Sequence, residues 1–327
     1  MLKSIVATTS ECVLLPEVVF HDQELLQFDL WHEYHKSFVI PGTTHSRLKT
    51  RTSHLNIHDK LLLVHSEKNS PELKKFEDDG AIGVYYWSHA LIARDWFRYA
   101  EHDPSLTNIA VKNKKFLIYN RAWSSTREYR LTFFEKLIKN NLQDLCLTSF
   151  SPTDTGIHYT KHQFKNRKLE ISNFEIEKMF PLNTYPSHAS ADYESDDYRA
   201  TNVEIVLETI FDDSRIHLTE KSLRPIAVGH PFIICGTTGS LNYLKEYGFK
   251  TFSNFWSEEY DTITDPVDRL ECIIKLMKYL QSTDIDWEEV KKITSYNQQW
   301  FFSNSFHDQI VNEFNTNLNA GLDKLDK

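Results

Sequence analysis

VEIVLETIFDDSRIHLTEKSLRPIAVGHPFIICGTTGSLNYLKEYGFKTF, residues 203 to 252, decides the fold class. Two short apolar runs, residues 203 to 209 and 231 to 236, have the length and content of buried strands. Between them, Thr219 or Ser222 can cap a helix over residues 222 to 228. Beyond the second run, residues 238 to 247 read as a helix closed by Gly248, which suits a left-handed C-cap. Strand, helix, strand, helix at this spacing is a parallel α/β unit.

The same alternation extends outward. Strands are expected at residues 4 to 7, 38 to 40, 61 to 65 and 81 to 86. SPELKKFEDDG (residues 70 to 80) supplies a helix capped by Ser70, begun by Pro71 and ended by Gly80. A second helix is expected over residues 89 to 99. A fresh start lies near residue 109: a strand at residues 115 to 119, the loop NRAWSST, and a helix from about Arg127 to Asn140. Residues 151 to 200 are polar and weakly periodic, so loops and short strands are expected. The last ~45 residues carry the spacing of two amphipathic helices. The chain thus reads as two doubly wound α/β halves facing across a cleft, with a helical tail and a boundary near residues 105 to 112.

Composition narrows the function classes. With 9 Gly and 10 Pro in 327 residues, low complexity and collagen-like repeats are excluded. A net charge of −9 excludes a generally basic, nucleic-acid-coating surface, while leaving room for a local basic groove. The four cysteines are far apart with no CxxC pair, so neither a zinc site nor a disulfide framework follows, and a reduced, cytoplasmic setting is expected. The N-terminal segment reads poorly as a signal peptide. No run approaches the ~18 apolar residues of a membrane span, so no membrane partner is expected.

The chemistry concentrates in two places. The start of the helix after Thr219 carries Glu220, Lys221 and Arg224. Free backbone N–H groups with two cations suit a diphosphate, and the carboxylate of Glu220 can accept hydrogen bonds from ribose hydroxyls. The loop GTTGS at the carboxyl end of the following strand lies where open sheets bind ligands. The plain alternative is a capped, solvated helix start. NRAWSSTREYR gathers Arg121, Arg127 and Arg130 with Trp123 and Tyr129 at a strand end, which suits phosphates.

In the first half, His65 and Glu67 follow an apolar strand, and His89 and Asp95 lie near a helix start. These four are the acid–base candidates, with capped turns and surface polar groups as the alternative. KHQFKNRK (residues 161 to 168), with Lys112, Lys114 and Lys115, offers a basic rim or else a solvated loop. Asp196–Asp197 could hold a metal, although acidic loops are usually solvated.

LTEKSLRPIAVGHPFIICG resembles the nucleotide-sugar signature of α-1,3-fucosyltransferases, with Glu208 as its upstream acidic residue. FLIYNRAWSSTREYRLTFFEKL is similar to the strand–Asn–Arg–helix segment of the same enzymes, Arg130 matching the arginine before FFEKL. The wider pattern, including YYWSHALIARDWFRYAEHD and GSLNYLKEYGFKTF, resembles a group of uncharacterised phage-encoded glycosyltransferase-like proteins. The resemblance implies a GT-B fold: an acceptor domain at residues 1 to 108, a nucleotide-sugar domain at residues 109 to 285, and C-terminal helices at residues 286 to 327 crossing back. It implies that Lys221 and Arg130 hold the donor diphosphate, Glu220 the ribose hydroxyls, and that Glu208 supports the site. It further implies a metal-independent glycosyltransferase with a nucleoside-diphosphate sugar as co-substrate. The general base does not carry over, because the N-terminal half departs from fucosyltransferases. The acceptor is expected to be a hydroxyl, with a 5-hydroxymethylated pyrimidine in duplex phage DNA as one specific case, a setting that would be the host cytoplasm. A saccharide or protein acceptor, or a non-catalytic nucleotide- or DNA-binding protein on the same fold, is the competing reading.

Overall fold

The computed structural model describes residues 13–14, 61–78, 80, 82–107, 112–172, 175–183 and 191–325, so the strands expected at residues 4 to 7 and 38 to 40 lie outside the described residues. The chain divides into two compact units, Met1–Ser88 with His307–Lys327, and His89–Phe306. Both are built on parallel sheets with helical connections, as the alternation requires.

In the first unit, β1 (Val13–Leu14), β2 (Leu61–His65) and β3 (Ile82–Tyr85) form a parallel sheet in that order. Helix α1 (Pro71–Asp78) links β2 to β3 and buries Leu73 and Phe76. Ser70 caps it, its hydroxyl accepting from Leu73 N at 2.9 Å. Gly80 has φ 98°, the left-handed turn that glycine adopts without strain. From His307 onward the last helix belongs to this unit. Glu313 accepts from Trp87 N at 3.1 Å, Asn317 donates to Tyr85 O at 2.7 Å, and Phe314 packs on Tyr86.

The second unit opens with α2 (Ser88–Trp96). The division falls between Ser88 and His89 rather than near residue 108, and the reason is local. Arg94 on α2 donates to three carbonyls, those of Phe301, Phe302 and Ser303, and Tyr193 donates to Asp103. Residues 286 to 306 likewise go with the second unit, leaving only the final 21 with the first.

Its remaining elements are β4 (Phe116–Ile118), α3 (Tyr129–Lys139), β5 (Cys146–Thr148), the short hairpin β6 (Thr153–Asp154) and β7 (Ile157–His158), α4 (Ile176–Met179), α5 (Ser195–Ala200), β8 (Val203–Leu207), α6 (Glu220–Ala227), β9 (Phe232–Cys235), α7 (Ser240–Glu246), α8 (Pro266–Ser282) and α9 (Trp287–Phe302); the last helix, α10 (Asn304–Leu325), has only its first three residues here and the rest in the first unit. The main sheet is parallel with order β5-β4-β8-β9. The chain therefore leaves β4 to one side for β5, then returns to the other side for β8 and β9. All five residues of β8 are buried, as for a strand covered on both faces. At the end of α7, Gly248 has φ 88°, and a Cβ there would lie 2.9 Å from Trp300 Nε1, so two constraints demand glycine. Helix α8 was not among the sequence expectations. Its start was legible, since Asp265 caps it by accepting from Val267 N and Asp268 N, and Pro266 occupies its first position.

Two buried histidines give this unit a pH signature. Burial, with Lys112 adding to it, holds His230 well below its ordinary pKa. Burial also lowers His89. Their folded pKa values lie below the unfolded value of 6.5, so the unfolded chain takes protons first as pH falls, and stability is lost below about 6.5. Asp261, pushed up to about 6 by burial, acts oppositely between about pH 4 and 6. We therefore expect His230→Phe to lose less stability than wild type between pH 7 and 5.5, by ~1 kcal/mol in denaturant titrations. Parallel curves for the two proteins would show that His230 titrates normally.

Candidate functional site

A cavity of about 250 Å3 opens in the second unit at the carboxyl ends of β4 and β8. Its walls come from the residues directly after β4 (Tyr119, Asn120, Arg121), the end of β8 (Val206, Leu207) and the first residues of α6 (Glu220, Lys221). β4 and β8 are the neighbours between which the chain reverses direction across the sheet. That is the switch point at which open α/β sheets leave a crevice for ligands.

One wall is strongly cationic. Arg121, Arg127 and Arg130 all line the cavity. Arg130, on the first turn of α3, is 2% exposed and donates to Ala122 O (2.6 Å), Leu207 O (2.6 Å) and Glu208 O (3.0 Å). It thus ties the end of β8 to the loop after β4, and it has no carboxylate partner among the described residues. Burial and the neighbouring guanidiniums of Arg130 and Arg121 lower the Arg127 pKa against the pull of Asp154. Mutual repulsion of this kind is relieved by an anion. The loop is held by Asp154, whose carboxylate accepts from Trp123 N (2.9 Å) and Ser124 N (2.7 Å), while Ser125 turns through φ 62°.

The lining is completed by the start of α6. Lys221 Nζ donates to Glu220 Oε1 at 2.7 Å and to Thr219 Oγ1 at 3.1 Å. His89 Nε2 stands 3.9 Å from Glu220 Oε2, and its ring meets His217 edge-on at 4.8 Å between centroids. Burial alone would raise the Glu220 carboxyl, but the Lys221 ammonium and His89 outweigh it and bring the pKa to about 2. Glu220 is therefore an ionised acceptor at any physiological pH.

The backbone at the start of α6 differs from expectation. Part of it is already taken: the buried Glu208 carboxylate accepts from Thr219 N and Ser222 N, and Lys221 N is directed at Thr219 Oγ1 at 3.4 Å. Glu208 accepts from Thr219 N (2.9 Å), Ser222 N (3.2 Å) and Thr209 N (2.9 Å), and from the hydroxyls of Thr219 (2.9 Å) and Ser222 (2.6 Å). An anion in the cavity would be met by side chains, with Glu208 fixing the helix that carries Lys221. Arg224 is likewise committed. It lines the cavity but donates to Glu204 Oε1 (2.7 Å) and Tyr198 Oη (2.9 Å), with its guanidinium over the Tyr119 ring at 4.1 Å. Glu204 and Tyr119 escaped the sequence reading. A carboxylate inside the apolar run VEIVL was the available signal, since a charge there demands a buried partner.

Other expectations fall elsewhere. The GTTGS loop does not line the cavity: Gly236 O and Thr238 Oγ1 accept from the buried Arg269. Trp123 and Tyr129 are fully buried, Tyr129 donating to Glu208 O (2.7 Å), so neither can stack on a base. Asp95 is exposed on α2 beside Arg98. His65 and Glu67 are buried in the first unit, where the His65 ring meets the backbone of Glu67 in the turn after β2. The basic segment is partly neutralised, with His162, Lys165 N and Asn166 N around Glu128, and Lys168 paired with Asp265. Asp196 pairs with Arg199, and Asp197 accepts from Tyr119, so the two do not converge; among the described residues no cluster of three His, Cys, Asp or Glu is placed to hold a metal. Among them, too, no helix is long and apolar enough to cross a membrane.

No family model, curated protein or solved structure matches the chain.

Proposed function

We propose that the second unit binds a nucleoside-diphosphate sugar and that the protein is a glycosyltransferase of the GT-B kind. The observation that carries this reading is one cavity, at the sheet's switch point, lined by three arginines, of which Arg130 has no carboxylate partner among the described residues, and by an ionised carboxylate beside a lysine. Arg127, Arg130 and Lys221 take the diphosphate, and Glu220 accepts from the ribose hydroxyls 2.7 Å from the ammonium that meets the phosphate. In transfer, the acceptor oxygen bonds to the anomeric carbon and the carbon–oxygen bond to the diphosphate breaks. The departing diphosphate keeps the electron pair, and the acceptor's proton passes to a base. Charge grows on the leaving oxygen, which is where fixed cations are worth most.

Calorimetric titration with UDP, GDP, ADP and CDP tests the reading. Selective binding of one nucleoside diphosphate, lost in Lys221→Ala, is expected. No heat with any of the four removes it. Binding without turnover of the matching nucleotide sugar would leave a nucleotide-binding protein.

For Glu220→Gln we expect a donor KM raised about tenfold with a nearly constant kcat, because a ribose contact is equally strong in ground and transition states. A large fall in kcat at saturating donor would assign Glu220 to the chemistry instead. The acceptor proposal rests on the phage resemblance. Incubation with hydroxymethylcytosine-containing DNA and a panel of nucleotide sugars, read by nucleoside mass spectrometry, distinguishes a DNA acceptor from a saccharide or protein.

A further inference from the structure

The loop after β4 holds a polar residue whose role goes beyond positioning that loop. Asn120 is 4% exposed and lines the cavity beside Arg130. Its Oδ1 accepts from Arg130 Nη1 at 3.4 Å. A guanidinium only donates, so the amide cannot be turned the other way round: oxygen faces Arg130 and Nδ2 faces away. That Nδ2 is buried and has no hydrogen-bond partner among the described residues, and neither has Arg130 Nε. Two buried N–H donors without acceptors, on adjacent side chains in the wall of one cavity, are an arrangement that folding disfavours and that a bound acceptor would satisfy.

The charge balance says what kind of acceptor. Among the described residues Arg130 finds only neutral oxygens: three backbone carbonyls and the Asn120 amide. Asparagine and aspartate have the same shape, yet only the amide leaves the guanidinium uncompensated and adds a donor of its own. We infer that Asn120 is a ligand-binding residue, whose amide donates to a phosphoryl group beside Arg130 and which, by leaving that guanidinium uncompensated, keeps the cavity selective for anions. The inference rests on the diphosphate reading of the site and adds to it the residue that sets its charge preference. An aspartate at this position would occupy Arg130 internally and repel the ligand.

The test compares wild type, Asn120→Asp and Asn120→Ala by calorimetry, with inorganic pyrophosphate and the four nucleoside diphosphates as probes and melting temperature as the fold control. Asn120→Asp is expected to melt no lower than wild type and to bind at least a hundredfold more weakly, having lost a donor and gained a repulsive charge. Asn120→Ala is expected to bind about tenfold more weakly, as for one lost hydrogen bond to a charged group. If Asn120→Asp melts lower than wild type, Asn120→Ala decides: a loss of fivefold or more upholds the assignment, and a smaller loss overturns it. Wild-type affinity in a stable Asn120→Asp protein overturns it outright while leaving the donor site standing. Failure of wild type to bind any probe removes the donor reading, and the role of Asn120 with it.

Discussion

Lys221→Ala is expected to lower sugar transfer by a factor of a hundred or more while the protein melts close to the wild-type temperature. The ammonium is fixed before any ligand arrives, by Thr219 Oγ1 at 3.1 Å and Glu220 Oε1 at 2.7 Å, so little reorganisation is needed when charge develops on the leaving diphosphate. Removing a preorganised donor of this type costs ~3 kcal/mol or more of transition-state stabilisation, which is the hundredfold figure. Its side chain is 22% exposed and its ion pair lies at the cavity wall, so the fold depends on it little. Arg130→Ala is a poorer test of the same idea. Arg130 bridges the end of β8 and the loop after β4 through three backbone carbonyls, and its loss would unsettle the sheet as well as the phosphate site. Wild-type turnover in Lys221→Ala would mean that the phosphates are held elsewhere.

The second large effect is on stability. Glu208→Ala removes the acceptor of three backbone N–H groups and two hydroxyls in a fully buried setting. Ser222 N retains a backbone acceptor in Thr219 O, but Thr219 N and Thr209 N lose the acceptor the carboxylate gives them. Each buried donor left unsatisfied costs ~1–3 kcal/mol, so the variant should lose at least about 2 kcal/mol, or roughly 4–8 °C in melting temperature for a unit of this size. Glu208→Gln, with one oxygen left, should fall between. Chemical denaturation measures both. A loss under ~1 kcal/mol for Glu208→Ala would mean that water replaces the carboxylate and that the start of α6 does not depend on it.

The elements themselves were legible because their signals are local. Ser70, Pro71 and Gly80 delimit α1, Thr219 caps α6, and Gly248 ends α7, each through contacts a few residues apart in sequence. The apolar runs of β8 and β9 are continuous because both faces of a parallel sheet are covered. The residue types of the candidate site were also legible: Glu220, Lys221, Arg121, Arg127 and Arg130 line one cavity. Their meaning was less so. Whether Arg224 meets a ligand depends on Glu204, twenty residues away on a neighbouring element. Whether Thr219 N and Ser222 N at the start of α6 are free depends on Glu208, at the far end of a loop. That Trp123 and Tyr129 belong to the core, although they stand in sequence among the three arginines, is decided by their burial.

By itself, then, the sequence determined a parallel α/β protein with its cations gathered after β4 and at the start of α6. Only the tertiary structure decided that the order β5-β4-β8-β9 sets the crevice between β4 and β8, away from the GTTGS loop. It also decided which charges are spent inside the protein and which face the cavity. The physical reason is common to both. Caps, turns and periodicity act over three to seven residues, whereas strand order and the pairing of buried charges are choices among distant partners, settled by packing and by the cost of leaving a buried group alone.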